Sequence, residues 1–227
     1  MDARTILWGG LATAFILIPG VIVGVAVGQG VIGLLPGHSG DLNLALAAIA
    51  VLVGLLPAGA LWGWALSRIT HAASGRRLAV AGGIGFAPTT VVVVLALTFF
   101  ENVFVEQRQG PDLPIHNIFT MLFVPAAAIL AGVTAFALGI GAQTVAAAAR
   151  LAVTCGLSAG LAFLVVNLAL DGLGWRVGAP GAEQRATMLT TALLGNLAAA
   201  FAGGAVIGRT LARRSADGAR LRLSSAT

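Results

Sequence analysis

The stretch FFENVFVEQRQGPDLPIHNIF gathers Glu101, Glu106, Asp112 and His116 within sixteen residues, with Arg108 among them. Carboxylates and an imidazole are the side chains that hold divalent metals or pass protons near neutral pH. Glu101 and Glu106 stand five apart, so a continued helix would not set them on one face. Their spacing from His116 matches no metal-ligand pattern. A solvated loop is the plain reading of this segment, and an outer-face metal or acid–base site is the sharper one. Two asparagines stand apart from it. Asn167 and Asn196 lie in otherwise apolar runs, where an amide either bonds a neighbouring helix or meets a ligand. The single cysteine, Cys155, has no partner for a disulfide or a CxxC metal pair, and reads as a packing residue. His38 and His116 fall in loops, not on facing helices, which argues against haem. No HExxH, P-loop, nucleophile elbow or paired-aspartate motif occurs. The expectation is a non-enzyme with no resident metal or cofactor.

The elements that must position these groups follow from composition. Of 227 residues, 58% are apolar and only 9% charged, against about 25% charged in a soluble domain. So few charges cannot cover a water-facing surface, and lipid must be the main solvent. Six apolar runs emerge, near 6–27, 44–66, 78–100, 118–140, 151–170 and 188–211. Each reaches the roughly 20 residues that a helix needs to cross the hydrocarbon layer. The first run exceeds the usual signal-peptide core and lacks a convincing small-x-small cleavage site, so it reads as a retained helix. The fold class expected is all-α: a polytopic membrane protein of six transmembrane helices in a single domain, 1–227.

The arginines orient it. All thirteen basic residues are Arg, a usage that fits a GC-rich bacterial source. With the N-terminus inside, Arg4, Arg68, Arg76, Arg77, Arg150, Arg209, Arg213, Arg214, Arg220 and Arg222 fall on the inner side, and Arg108, Arg176 and Arg185 on the outer. Loops rich in Arg resist translocation. Both termini are therefore expected in the cytoplasm, across a bacterial inner membrane, with a basic tail over 212–227. The net charge of +5 thus speaks for the bilayer as partner and not for nucleic acid.

The chain also repeats itself. RLAVTCGLSAGLAFLVVNLAL from Arg150 matches RLAVAGGIGFAPTTVVVVLAL from Arg77 at 10 of 21 positions, where composition alone would give roughly two or three. Arg4, Arg77 and Arg150 are spaced by 73 residues, and Gly10, Gly83 and Gly156 keep that register. Three helical hairpins of period 73 are expected, over 4–76, 77–149 and 150–220.

Small residues mark the helix contacts. Gly20, Gly24 and Gly28, then Gly59 and Gly63, Gly156 and Gly160, and Gly204 and Gly208 recur at four-residue spacing, which lets helix backbones approach. Pro19, Pro57, Pro88 and Pro125 lie inside spans and can kink them. No Asp, Glu, Arg or His falls at mid-span, which argues against a proton pump or ion-coupled relay. The leading expectation is a structural or accessory subunit bound to other membrane protein subunits. The alternative is a small transporter or permease component that binds a neutral or weakly polar substrate among its helices. A cavity at Asn196 would favour the second.

Overall fold

Six α-helices carry the chain, in a computed structural model that describes residues 3–34, 40–71, 75–101, 115–142, 144–173 and 182–224. They are α1 (Ala3–Leu34), α2 (Gly40–Thr70), α3 (Gly75–Glu101), α4 (Ile115–Ala142), α5 (Val145–Gly172) and α6 (Ala182–Ser224). All six are long and apolar enough to cross a membrane. Each packs on its neighbours in sequence, and α6 closes on α1, so the helices form a closed up-and-down ring. The connections at the arginine end are short. His71 leaves α2 with φ 50°, the left-handed conformation that commonly stops a helix, and α3 begins at Gly75. Thr144 starts α5 from an extended backbone (φ −75°, ψ 154°), and its carbonyl accepts from Ala148 N–H at 2.9 Å.

The helices run past the apolar segments read from sequence, most of all α6. Its 43 residues make a rod of about 64 Å, twice the roughly 30 Å of a bilayer's hydrocarbon. The apolar pattern stops near Leu211, but ARRSADGARLRL is rich in Ala, Arg and Leu, which favour helix whether or not they are apolar. Ser215, on this extension, donates its hydroxyl to the Thr70 carbonyl at 2.8 Å. That bond ties the end of α6 to the end of α2.

Glycine decides how closely the helices meet. On α2 against α3, a methyl added at Gly59 would come within 2.6 Å of the Gly82 carbonyl oxygen. On α5 against α4, one at Gly156 would meet the Ala128 carbonyl oxygen at 2.8 Å. On α1 against α6, one at Gly9 would meet the Gly204 carbonyl oxygen at 2.8 Å. At these three seams the backbones touch and no side chain fits between. Gly63 on α2 and Gly208 on α6 extend two of them, abutting the backbones of Leu78 and Thr5. The other interfaces, α1–α2, α3–α4 and α5–α6, rest more on side chains, although Gly54 of α2 also lies against the Gly24 backbone of α1. There glycines receive side chains: Gly20 takes Ala58, Gly24 takes Leu55, Gly28 takes Val51, Gly85 takes Ala137 and Gly195 takes Phe163. Gly160 seats Ala128 in the same way.

The surface is greasier than the interior. Leu157, Leu161, Val165 and Leu168 make an exposed stripe along α5, and Phe15, Ile84, Val92 and Ile129 are exposed on other helices. Interior positions are occupied largely by Gly, Ala and Thr. This is the distribution expected where lipid is the solvent and helices hold by close approach. The four prolines, Pro19, Pro57, Pro88 and Pro125, are all exposed, so they face away from the axis.

Candidate functional site: a central apolar cavity

The ring does not fill its own centre. At the arginine end, Trp62, Leu66, Leu78, Leu138, Leu151, Ile207 and Leu211 are buried to 2% exposure or less and close the core. Beyond them, toward the other end, lies a cavity of about 390 Å³ lined from all six helices. That is within the range of small-molecule sites. Its walls are chiefly Leu, Ile, Val and Ala, with Trp62, Phe86 and Phe123 as aromatic faces. The Phe123 ring stacks on Phe163, centroids 6.2 Å apart and planes at 13°, which braces α4 against α5. Ile22, Val94 and Leu193 line the cavity and are also exposed. All three lie in the half away from the arginines, so that is where the cavity communicates with the outside.

Its polar groups are few. Thr13 lies on the floor, where its hydroxyl donates to the Gly9 carbonyl at 2.7 Å and accepts from Trp62 Nε1–H at 2.8 Å. The Thr13 side chain leans into the space a side chain at Gly204 would need, so the seam glycine and the floor hydrogen bond depend on each other. Thr90 donates to the Phe86 carbonyl at 2.8 Å, and Thr134 to the Leu130 carbonyl at 2.6 Å. Asn196 donates one Nδ2 proton to the Ala192 carbonyl at 2.8 Å. Cys155 lies in the wall with its sulfur 3.5 Å from the Gly203 carbonyl oxygen.

The residues singled out from sequence separate clearly. Asn196 lines the cavity. Asn167 is half-buried on α5 and does not. Of the proposed outer-face cluster, Glu101 is the last residue of α3 and His116 is the second of α4, while Glu106 and Asp112 lie outside the described residues. Among the described residues no three His, Cys, Asp or Glu groups converge as a metal site would require. The paired glycines all face neighbouring helices of the same ring. Arg4, Arg68, Arg76, Arg77, Arg150, Arg213 and Arg214 are exposed and gather at one end. Arg68 lies over the Trp64 ring, 5.2 Å from its centroid, a cation–π contact suited to an interface. Sequence reading passed over Thr13, Trp62, Thr90 and Thr134. Nothing in their spacing separates a threonine facing a cavity from one facing a neighbour.

Comparison with known protein families, with curated proteins and with solved structures returns no match to this chain.

Proposed function

We propose that this protein is a small permease-type component of a bacterial cytoplasmic membrane that takes a weakly polar molecule into its central cavity. The observation that carries this reading is the 390 Å³ cavity with the Asn196 amide in its wall. A bundle whose only task is to brace a larger complex has no need of such a space, because empty volume costs stability. The inward-facing glycines add support, since they are occupied within the ring and are not offered to another subunit. The gathering of arginines at one end supports cytoplasmic termini. The three backbone-on-backbone seams, each joining one hairpin to the next, support a threefold repeat of hairpins with a period near 73 residues.

The accessory-subunit reading keeps one observation in its favour. α6 continues as helix to Ser224, beyond the apolar window that ends at Ala216, and so carries basic side chains to where a cytoplasmic partner could meet them. One experiment separates the two. The tagged protein is extracted in mild detergent and examined by native mass spectrometry. A retained small molecule on a particle free of other polypeptides is the expected result. A stoichiometric membrane partner with nothing bound in the cavity would overturn the permease reading.

A further inference from the structure

The lining of the cavity is selective in both charge and hydrogen-bond sense. Among the described residues no Asp, Glu, Arg or His lines it, so an ion entering would leave water without meeting a counter-charge there, at a prohibitive cost. The threonines are one-sided. Each has a single hydroxyl proton, and in Thr13, Thr90 and Thr134 that proton goes to a carbonyl four residues back, on Gly9, Phe86 and Leu130. A hydroxyl whose proton is engaged in this way can only accept. The Trp62 N–H is likewise taken, by Thr13. The bond from Asn196 to the Ala192 carbonyl fixes which end of its amide is nitrogen, and leaves Oδ1 as an acceptor with one N–H over. The unused capacity is therefore the Thr90 and Thr134 oxygens, the one remaining lone pair of Thr13 and an amide oxygen, against one N–H.

We infer that the cavity takes a neutral, mainly apolar molecule carrying one hydrogen-bond donor, of the phenol class, with its hydroxyl directed to Asn196 Oδ1. This rests on the permease reading and specifies its substrate. The phenol follows from the walls as well as the polar atoms: Trp62, Phe86 and Phe123 present aromatic surface to which another ring packs well. The cavity volume of about 390 Å³ corresponds to a dozen or so waters at about 30 Å³ each, hence to a molecule of roughly 12 to 20 non-hydrogen atoms. Access through Ile22, Val94 and Leu193 lets the ligand arrive from the apolar side of the bundle.

The test uses the full chain in phosphatidylcholine nanodiscs, with empty nanodiscs as the reference for lipid partitioning. Three probes of matched size are titrated: 4-cyclohexylphenol, its methyl ether, and the 4-cyclohexyl-trimethylanilinium cation. The phenol is expected to saturate one site about tenfold more tightly than the ether, as loss of one buried hydrogen bond implies. The cation is expected not to saturate. Asn196→Leu should bring the phenol to the affinity of the ether and leave the ether unchanged. Equal affinity for phenol and ether, or preference for the cation, would overturn the ligand class while leaving a ligand-binding cavity in place. Saturable binding of none of the three would overturn the inference and the permease reading together. The phenol-to-ether contrast in the unaltered chain needs no variant, so a folding failure of Asn196→Leu does not shield the inference.

Discussion

The two halves of the bundle solve opposite problems with similar residues. In the arginine half, glycines bring backbones into contact at Gly59, Gly9 and Gly208, and large side chains such as Trp62, Leu78 and Ile207 close the axis. In the other half small residues, Ala126, Ala127, Ala159, Ala200 and Thr90, share the cavity wall with larger ones such as Leu97 and Phe123. Their small size serves space there and not contact. A glycine or alanine in a membrane helix therefore has no fixed meaning. Opposite a backbone carbonyl it is a seam, and opposite nothing it is a cavity wall. The arginine half should accordingly be brittle to substitution and the cavity half tolerant.

The largest expected effect is at a seam. Gly59→Leu places a branched side chain where even a methyl would meet the Gly82 carbonyl oxygen at 2.6 Å. Overpacking against backbone should cost about 3 kcal/mol, read as a lower midpoint in a reversible detergent-unfolding titration. A wild-type midpoint would mean that the seam can part without loss, and would end the comparison. Next is the floor between the halves. Thr13→Val keeps the volume but leaves Trp62 Nε1–H, now bonded at 2.8 Å, buried without an acceptor. That should cost about 2 kcal/mol, and Trp62→Phe in the same background should add less than it does alone, because the bond is already gone.

The cavity half should respond otherwise. Ala127→Leu adds side-chain volume to the wall of a cavity of about 390 Å³, so stability should change by no more than about 1 kcal/mol while ligand uptake falls. Destabilisation as severe as at Gly59 would show that the cavity half is packed as tightly as the seams. The smallest effect is expected at the end of α6. Ser215→Ala removes the 2.8 Å bond to the Thr70 carbonyl at a cost of about 1 kcal/mol or less, visible as faster amide exchange beyond Leu211 with the rest of the bundle unchanged.

Much of this architecture is written in the pattern of the chain. Six apolar runs of spanning length must become six helices, because only a helix satisfies its own backbone in lipid. The glycine pairs at four-residue spacing predict close approach; Gly59, Gly63 and Gly208 meet backbone, whereas Gly20, Gly24 and Gly28 seat side chains. The end of α6 was not legible from hydropathy, since the extension is helical for reasons of propensity and not of apolar pattern. Of the candidate site, Asn196 stands out as the deepest amide and lines the cavity, whereas Asn167, nearer the outer end of its run, does not. Thr13 and Trp62 were silent, because their bond joins positions 49 residues apart on different helices.

What the sequence determined by itself is therefore whatever depends on one helix at a time: span length, the small-residue faces, the sidedness of the arginines and the lack of a charge at mid-span. The tertiary structure alone decided which glycines meet backbone and which meet side chains, that α6 closes the ring on α1, and that the centre is left open in one half. The physical reason is that a void belongs to no residue. It is the space left between six helices whose axis is closed by large side chains at one end and left open at the other.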